Sequence, residues 1–230
     1  MINNFSPINK NSEKIFRRKD YALVAISPFN SYFSLERIIL LIDYTKNNFN
    51  NFSVFLPDEI SRFNLEALGY SEKEAQQKVK KHDNYIRNKV IKALTSITNC
   101  SEDECIQKIM NMSKIFKKPN YMKFYNFYKE KFDQDKEFRN GCLETSFLVL
   151  KSNAKLSKIP IDENAKHIAV QYFLYELPVY LNMSEILEID SCLYVYHSIS
   201  DFLRELYFDS SMTSSTQGFL ILEVEAINVV

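Results

Sequence analysis

Glycine is scarce in this chain, with Gly69, Gly141 and Gly218 the only three in 230 residues. None belongs to a G-x-G-x-x-G or G-x-x-x-x-G-K pattern, whose backbone amides cradle a phosphate, which argues against ordinary nucleotide binding. Tryptophan is absent. Cys100, Cys105, Cys142 and Cys192 form no C-x-x-C pair and have no histidines at ligand spacing, which argues against a zinc site and a disulfide framework alike. They read as reduced thiols of a cytoplasmic protein, and no metal or cofactor is expected. Net charge is missing too: 29 basic residues balance 29 acidic ones, so no global field favours nucleic acid and no DNA partner is expected. Contact with a polyanion would have to come from a local patch. No apolar run approaches the length of a membrane span, and the Asn- and Lys-rich start lacks the apolar core of a signal peptide. Residues 1–18 are expected to form a flexible tail, and 19–230 a single domain acting as a monomer, away from membranes.

Hydrophobic residues make up 46% of the chain, enough for a substantial core, and most of its 18 Phe and 14 Tyr belong there. The apolar run Tyr21 to Ile26 suits a strand covered on both faces. Pro28 forbids a ladder hydrogen bond, Asn30 and Ser31 offer turn chemistry, and a helical pattern follows from Ser34 to Tyr44. This order of strand, turn and helix leaves Ser27 at a strand's carboxyl end, where open α/β sheets bind ligands. Ser27 is therefore a candidate nucleophile, although a lone serine there more often caps a turn.

Phe52 to Pro57 reads as a second strand and completes a β-α-β unit. A helical stretch from Asp58 to Leu68 stops at Gly69, and Ser71 to Ile97 forms a long amphipathic helix. On its flank Lys78, Lys81, Lys89 and Lys92 line up around Tyr85, either as a solvated face or as a track for phosphates. Ser101 to Glu104 has capping-box form, and a strand is expected around Ile109 to Met112. Residues 119 to 150 are expected to be helical with a break at Gly141, and Asp162 to Leu181 to be a helix bent near Pro178. Strands over Ser191 to His197 and Gly218 to Val224 flank a short helix from Asp201 to Tyr207. The alternation predicts an α/β fold with a mostly parallel sheet and helices on both faces.

Tyr172 and Glu176, four residues apart, project from one side of a helix, and a phenol beside a carboxylate can hold and deprotonate an amine; an ordinary edge pair is the bland alternative. Tyr196 and His197 end a strand, where a lone histidine is usually structural.

Together these motifs resemble the cyclodipeptide synthase family, whose members condense two aminoacyl-tRNAs. The segment A-I-S-P-F-N-S-Y-F-S at residues 25 to 34 resembles its signature, Y-F-L-Y-E-L-P at 172 to 178 its Tyr-x-x-x-Glu-x-Pro element, and V-Y-H at 195 to 197 its second tyrosine site. Asn30, Tyr196 and His197 match the subfamily named for an Asn, Tyr, His pattern, whereas Ala25 stands where the family commonly has glycine. The resemblance implies a Rossmann-like domain similar to the catalytic domain of class I tyrosyl- and tryptophanyl-tRNA synthetases. It also implies a ping-pong reaction through an aminoacyl and then a dipeptidyl ester on Ser27, with no cofactor. Under it, Tyr172 and Glu176 anchor the α-ammonium, Tyr196 relays a proton, and Asn30 and His197 order the site. The lysine stripe meets tRNA. Leu23, Ala25, Val54, Met112, Tyr121, Val179 and Tyr194 line a first side-chain pocket suited to Leu, Phe or Met, and Leu56, Thr145 and Ser152 lie near a second.

Three rivals remain at this stage. Asn111 to Lys114 faintly echoes the Lys-Met-Ser-Lys-Ser loop of an adenylating synthetase. Ser27 with His197 would make a serine hydrolase, although G-x-S-x-G is missing. A non-catalytic tRNA-binding module needs only the lysines.

Overall fold

In a computed structural model, which describes residues 2–225, six strands form one sheet in the order β1-β6-β5-β2-β3-β4. The strands are β1 (Ile2–Pro7), β2 (Tyr21–Ala25), β3 (Asn51–Leu56), β4 (Ile109–Asn111), β5 (Cys192–Tyr196) and β6 (Gln217–Val224). All neighbours run parallel except β1, which pairs antiparallel with β6, Phe5 standing opposite Leu222. From β2 the chain builds outward through β3 to β4, then returns to the other side of β2 with β5. The carboxyl ends of β2 and β5 thus meet at a switch point, where α/β sheets bind ligands.

Among the described residues ten α-helices complete the fold: α1 (Lys10–Arg18), α2 (Leu35–Asn48), α3 (Arg62–Ala67), α4 (Glu72–Thr98), α5 (Glu102–Gln107), α6 (Met112–Ile115), α7 (Tyr121–Gln134), α8 (Lys136–Ser152), α9 (Glu163–Leu187) and α10 (Asp201–Leu206). Side chains alternate along each strand. Ala22, Val24 and Ile26 pack on one side with Ile38 and Leu41 of α2 and Val90 and Ala93 of α4. Leu23 and Ala25 pack on the other with α6, α7, α9 and α10. Local chemistry fixes the helix starts: Ser34 accepts the Arg37 N–H to cap α2, and Ser71 with Glu74 forms a full capping box on α4.

Four expectations need correction. The flexible tail is instead β1 and α1: Ile8 and Ile15 are buried, and Ser12 Oγ accepts the Phe219 N–H of β6. An edge strand is covered by a neighbour on one side only and tolerates a polar sequence, which is why its Asn-rich composition read as disorder. The break expected at Gly141 falls at Asp135, whose carboxylate caps α8. Gly141 serves packing instead, since a Cβ there would come within 2.3 Å of the Phe202 ring. The α9 helix absorbs Pro178 and becomes non-helical at Asn182, one turn later, then continues to Leu187. Finally, β4 stops at Asn111 because its side chain caps α6. Among the described residues no helix is long and apolar enough to cross a membrane.

Candidate active site

Three elements converge on a cavity of about 570 Å³: the loop after β2, the end of β5, and α9. The loop supplies Ser27 and Asn30, β5 supplies Tyr196 and His197, and α9 supplies Tyr172, Glu176 and Tyr180; all seven line the cavity. The Tyr196 hydroxyl donates to Ser27 Oγ at 2.8 Å. Asn30 Nδ2 reaches both the Tyr196 oxygen at 3.3 Å and His197 Nε2 at 3.1 Å, while its Oδ1 accepts the Tyr32 N–H at 2.9 Å and holds the turn closed. The Tyr32 ring stacks on His197 at 4.1 Å, and Arg37 lies 4.6 Å over Tyr32.

One turn apart on α9, Tyr172 donates to Glu176 Oε1 at 2.9 Å and Tyr180 to Oε2 at 2.8 Å, so both carboxylate oxygens are held by phenols. Glu176 is only 3% exposed. Burial raises its pKa to about 7, opposed by these two hydrogen bonds, so the group exchanges a proton near neutral pH. Tyr196 is raised to about 12, mainly by burial, and stays a donor. His197 is lowered to about 4, by burial first and then by the Arg37 charge, so its ring is neutral and Nε2 can accept from Asn30. Ser27 therefore faces a phenol and His197 faces an amide, an arrangement unlike a Ser–His hydrolase pair. The synthetase-like segment is also occupied structurally: Ser113 bonds Asp58, and Lys114 Nζ bonds the Ile109 carbonyl.

The expected side-chain pocket divides. Leu23, Ala25, Met112, Tyr121, Val179 and Tyr194 do lie together beneath the site, each at most 3% exposed, but none lines the open cavity. Tyr180 stands between, with its ring 4.7 Å from that of Tyr194. Val54 does not belong with them: it packs on the opposite face with Val24 and Ile38, and the strand alternation puts Phe55 on the cavity side instead. Leu56 faces away for the same reason, whereas Thr145 and Ser152 do line the cavity. Lys78, Lys81 and Lys92 are exposed, Lys89 is half-buried with Nζ near the Phe33 carbonyl, and none of the four forms an ion pair among the described residues. Sequence reasoning missed Tyr180, although a tyrosine four residues on each side of Glu176 was there to be read.

A family model described as cyclodipeptide synthase matches residues 4–224. The chain belongs to the cyclodipeptide synthase family. It is 31% identical over 97% of its length to the cyclo(L-leucyl-L-leucyl) synthase of Staphylococcus haemolyticus, covering 95% of that protein. It is 29% identical to the cyclo(L-leucyl-L-leucyl) synthase of Bacillus subtilis, over 94% of this chain and 87% of that one. The crystal structure of a cyclodipeptide synthase from Bacillus thermoamylovorans superposes with a TM-score of 0.88 at 31% identity, covering 97% of this chain and 96% of that one. At 22% identity, a Mycobacterium tuberculosis cyclodipeptide synthetase shares the fold with a TM-score of 0.82 over 96% of this chain and 93% of that one, and its structure demonstrates a relation to type I tRNA synthetases. As a cyclodipeptide synthase the protein is an aminoacyl-tRNA-dependent transferase with a Rossmann-like domain, joining two aminoacyl groups into a cyclic dipeptide by the family's ping-pong course.

Proposed function

We propose that this cyclodipeptide synthase takes leucyl groups from charged tRNA, carries the first as an ester on Ser27 and releases cyclo(leucyl-leucyl). The observation that carries the reading is the 2.8 Å hydrogen bond from Tyr196 to Ser27 Oγ, in the cavity that also holds Glu176. Ser27 Oγ attacks the carbonyl carbon of the first aminoacyl ester, and the tRNA hydroxyl leaves with a proton. Tyr172 and Glu176 hold the α-ammonium of the bound group. The amine of the Ser27-bound aminoacyl group, having lost a proton to Glu176, then attacks the ester carbonyl of the second aminoacyl-tRNA; the new amide bond forms as the tRNA ester bond breaks, the tRNA 3′ hydroxyl leaves with a proton, and a dipeptidyl ester remains on Ser27. The free amine next attacks the carbonyl bonded to Ser27, the ring closes, and Oγ recovers a proton through Tyr196.

Leucine is favoured by the apolar residues beneath Tyr180 and by the leucyl products of the Staphylococcus and Bacillus subtilis relatives. Lys78, Lys81, Lys89 and Lys92 form the tRNA track, a stripe without ion pairs among the described residues and about 21 Å long at the helical rise of about 1.5 Å per residue. A charged-tRNA substrate supports the cytoplasm. Intact mass after incubation with leucyl-tRNA tests the proposal. A leucyl adduct is expected on the wild-type chain and none on Ser27→Ala; an adduct that persists on Ser27→Ala overturns it.

A further inference from the structure

The loop that carries Ser27 and Asn30 is bent at Phe29, the second of the two residues between them. Phe29 has φ of +59°, in the left-handed region, which a non-glycine residue adopts only at an energetic cost. Such a bend persists only where its surroundings hold it. The Phe29 N–H donates to His82 Nε2 at 2.8 Å, and the two rings stack with centroids 4.2 Å apart and planes 19° from parallel. One imidazole thus holds both the backbone and the side chain of the strained residue.

His82 comes from α4, on the same helix as the lysine stripe: Lys81 precedes it and Tyr85 is one turn on, with ring centroids 6.0 Å apart. Its role as an acceptor requires an unprotonated Nε2. Burial, and then the charge of Lys89, lower its pKa and keep it so. Lys89 itself reaches the Phe33 carbonyl, at the far end of the same loop. The helix therefore grips the β2–α2 loop at two points, one on each side of Asn30.

We propose that His82 is a positioning residue: by accepting the Phe29 N–H and stacking on its ring, it keeps Ser27 Oγ beneath the Tyr196 hydroxyl and ties the Ser27 loop to the helix that bears the lysine stripe. This rests on the reading of Ser27 as the acyl carrier. A substrate seated along α4 is then seated relative to Ser27, because the helix and the loop move as one body.

The test is the single-turnover rate of leucyl transfer from leucyl-tRNA to the enzyme, read by intact mass, beside the tRNA dissociation constant and the melting temperature. His82→Phe keeps a stacking ring and removes the acceptor, whereas His82→Gln restores an acceptor without the ring. The expected result is a rate at least about tenfold lower for His82→Phe, displacement of a reacting atom by an ångström being worth up to about 10². His82→Gln should recover part of that loss, with tRNA affinity and melting temperature unchanged in both. Three results would overturn the proposal: a His82→Phe rate equal to wild type, affinity falling in step with the rate, or equal losses in both variants accompanied by a lower melting temperature. Failure of the Ser27 reading is seen separately, as the absence of any adduct on the wild-type chain.

Discussion

On one side of the sheet, Val24, Ile26 and Val195 meet Ile38, Leu41 and Val90 in a mainly aliphatic layer whose buried rings, among the described residues, are the phenylalanines Phe33, Phe49 and Phe52 and not phenols. On the other side Tyr121, Tyr128, Tyr172, Tyr194 and Tyr207 are all buried, and the cavity opens there. Aliphatic side chains fill space and ask for nothing else. Each buried hydroxyl needs a partner, and these find one: Tyr121 bonds the Tyr175 carbonyl, Tyr128 bonds Asn182 and the Met212 carbonyl, and Tyr207 bonds the Tyr180 carbonyl. A layer already threaded with hydrogen bonds can also bury a carboxylate, which an aliphatic layer cannot do without a large penalty. The cavity therefore opens on the face rich in buried tyrosines, while the other face sets the position of the strands and carries α4.

The largest effect should come from Glu176→Gln, which keeps the shape and removes the base. Cyclic dipeptide formation should fall by about 10²–10⁴, the usual worth of a positioned acid–base group. The same substitution tests the burial. With the folded pKa at about 7 against an ordinary 4.5, the native state retains a proton that the unfolded chain has released, so stability falls as pH rises through that window, on the order of 3 kcal/mol in all. Denaturant unfolding at about pH 5 and about pH 8 should show that slope in the wild type and a reduced one in Glu176→Gln. Equal slopes would mean that the carboxylate is not buried. On the opposite face, Leu41→Ala should cost about 2–5 kcal/mol of stability, yet leave the rate per folded molecule unchanged. A large loss of rate in folded Leu41→Ala protein would break the division between the faces.

Periodicity made the parallel strands and the long helices legible, because β2 and β3 are apolar on both faces and α4 opens with a capping box. It failed at β1, where an edge strand needs little apolar sequence, and at Gly141, where the deciding contact is with Phe202, sixty-one residues away in sequence. Ser27, Asn30, Tyr172, Glu176, Tyr196 and His197 were all found from motifs, and the structure gathers them around one cavity. Val54 was misplaced because motif matching ignores the face that a strand residue presents, which the alternation from Val54 to Phe55 decides. His82 left no signal that could be separated from an ordinary helix residue, since its partner Phe29 comes from a loop 53 positions earlier.

Tyr180→Phe should give the smallest effect and probe the aromatic face most finely. The ring remains, so packing against Tyr194 is kept, and only the donor to Glu176 Oε2 is lost. One hydrogen bond to a buried group is worth about 1 kcal/mol net, and more where its partner is charged. Because that bond favours the carboxylate over the acid, its removal raises the pKa of Glu176 further. The limb of the pH–rate profile that reports the carboxylate should therefore move to higher pH in Tyr180→Phe, with little change in the rate at the plateau. Tyr172→Phe removes the matching bond to Oε1 and should move the same limb in the same direction, with a loss at the plateau as well if Tyr172 holds the ammonium as proposed. If Tyr180→Phe lowers the plateau and leaves the limb in place, the second phenol serves the packing of the aromatic face and not the ionisation of Glu176.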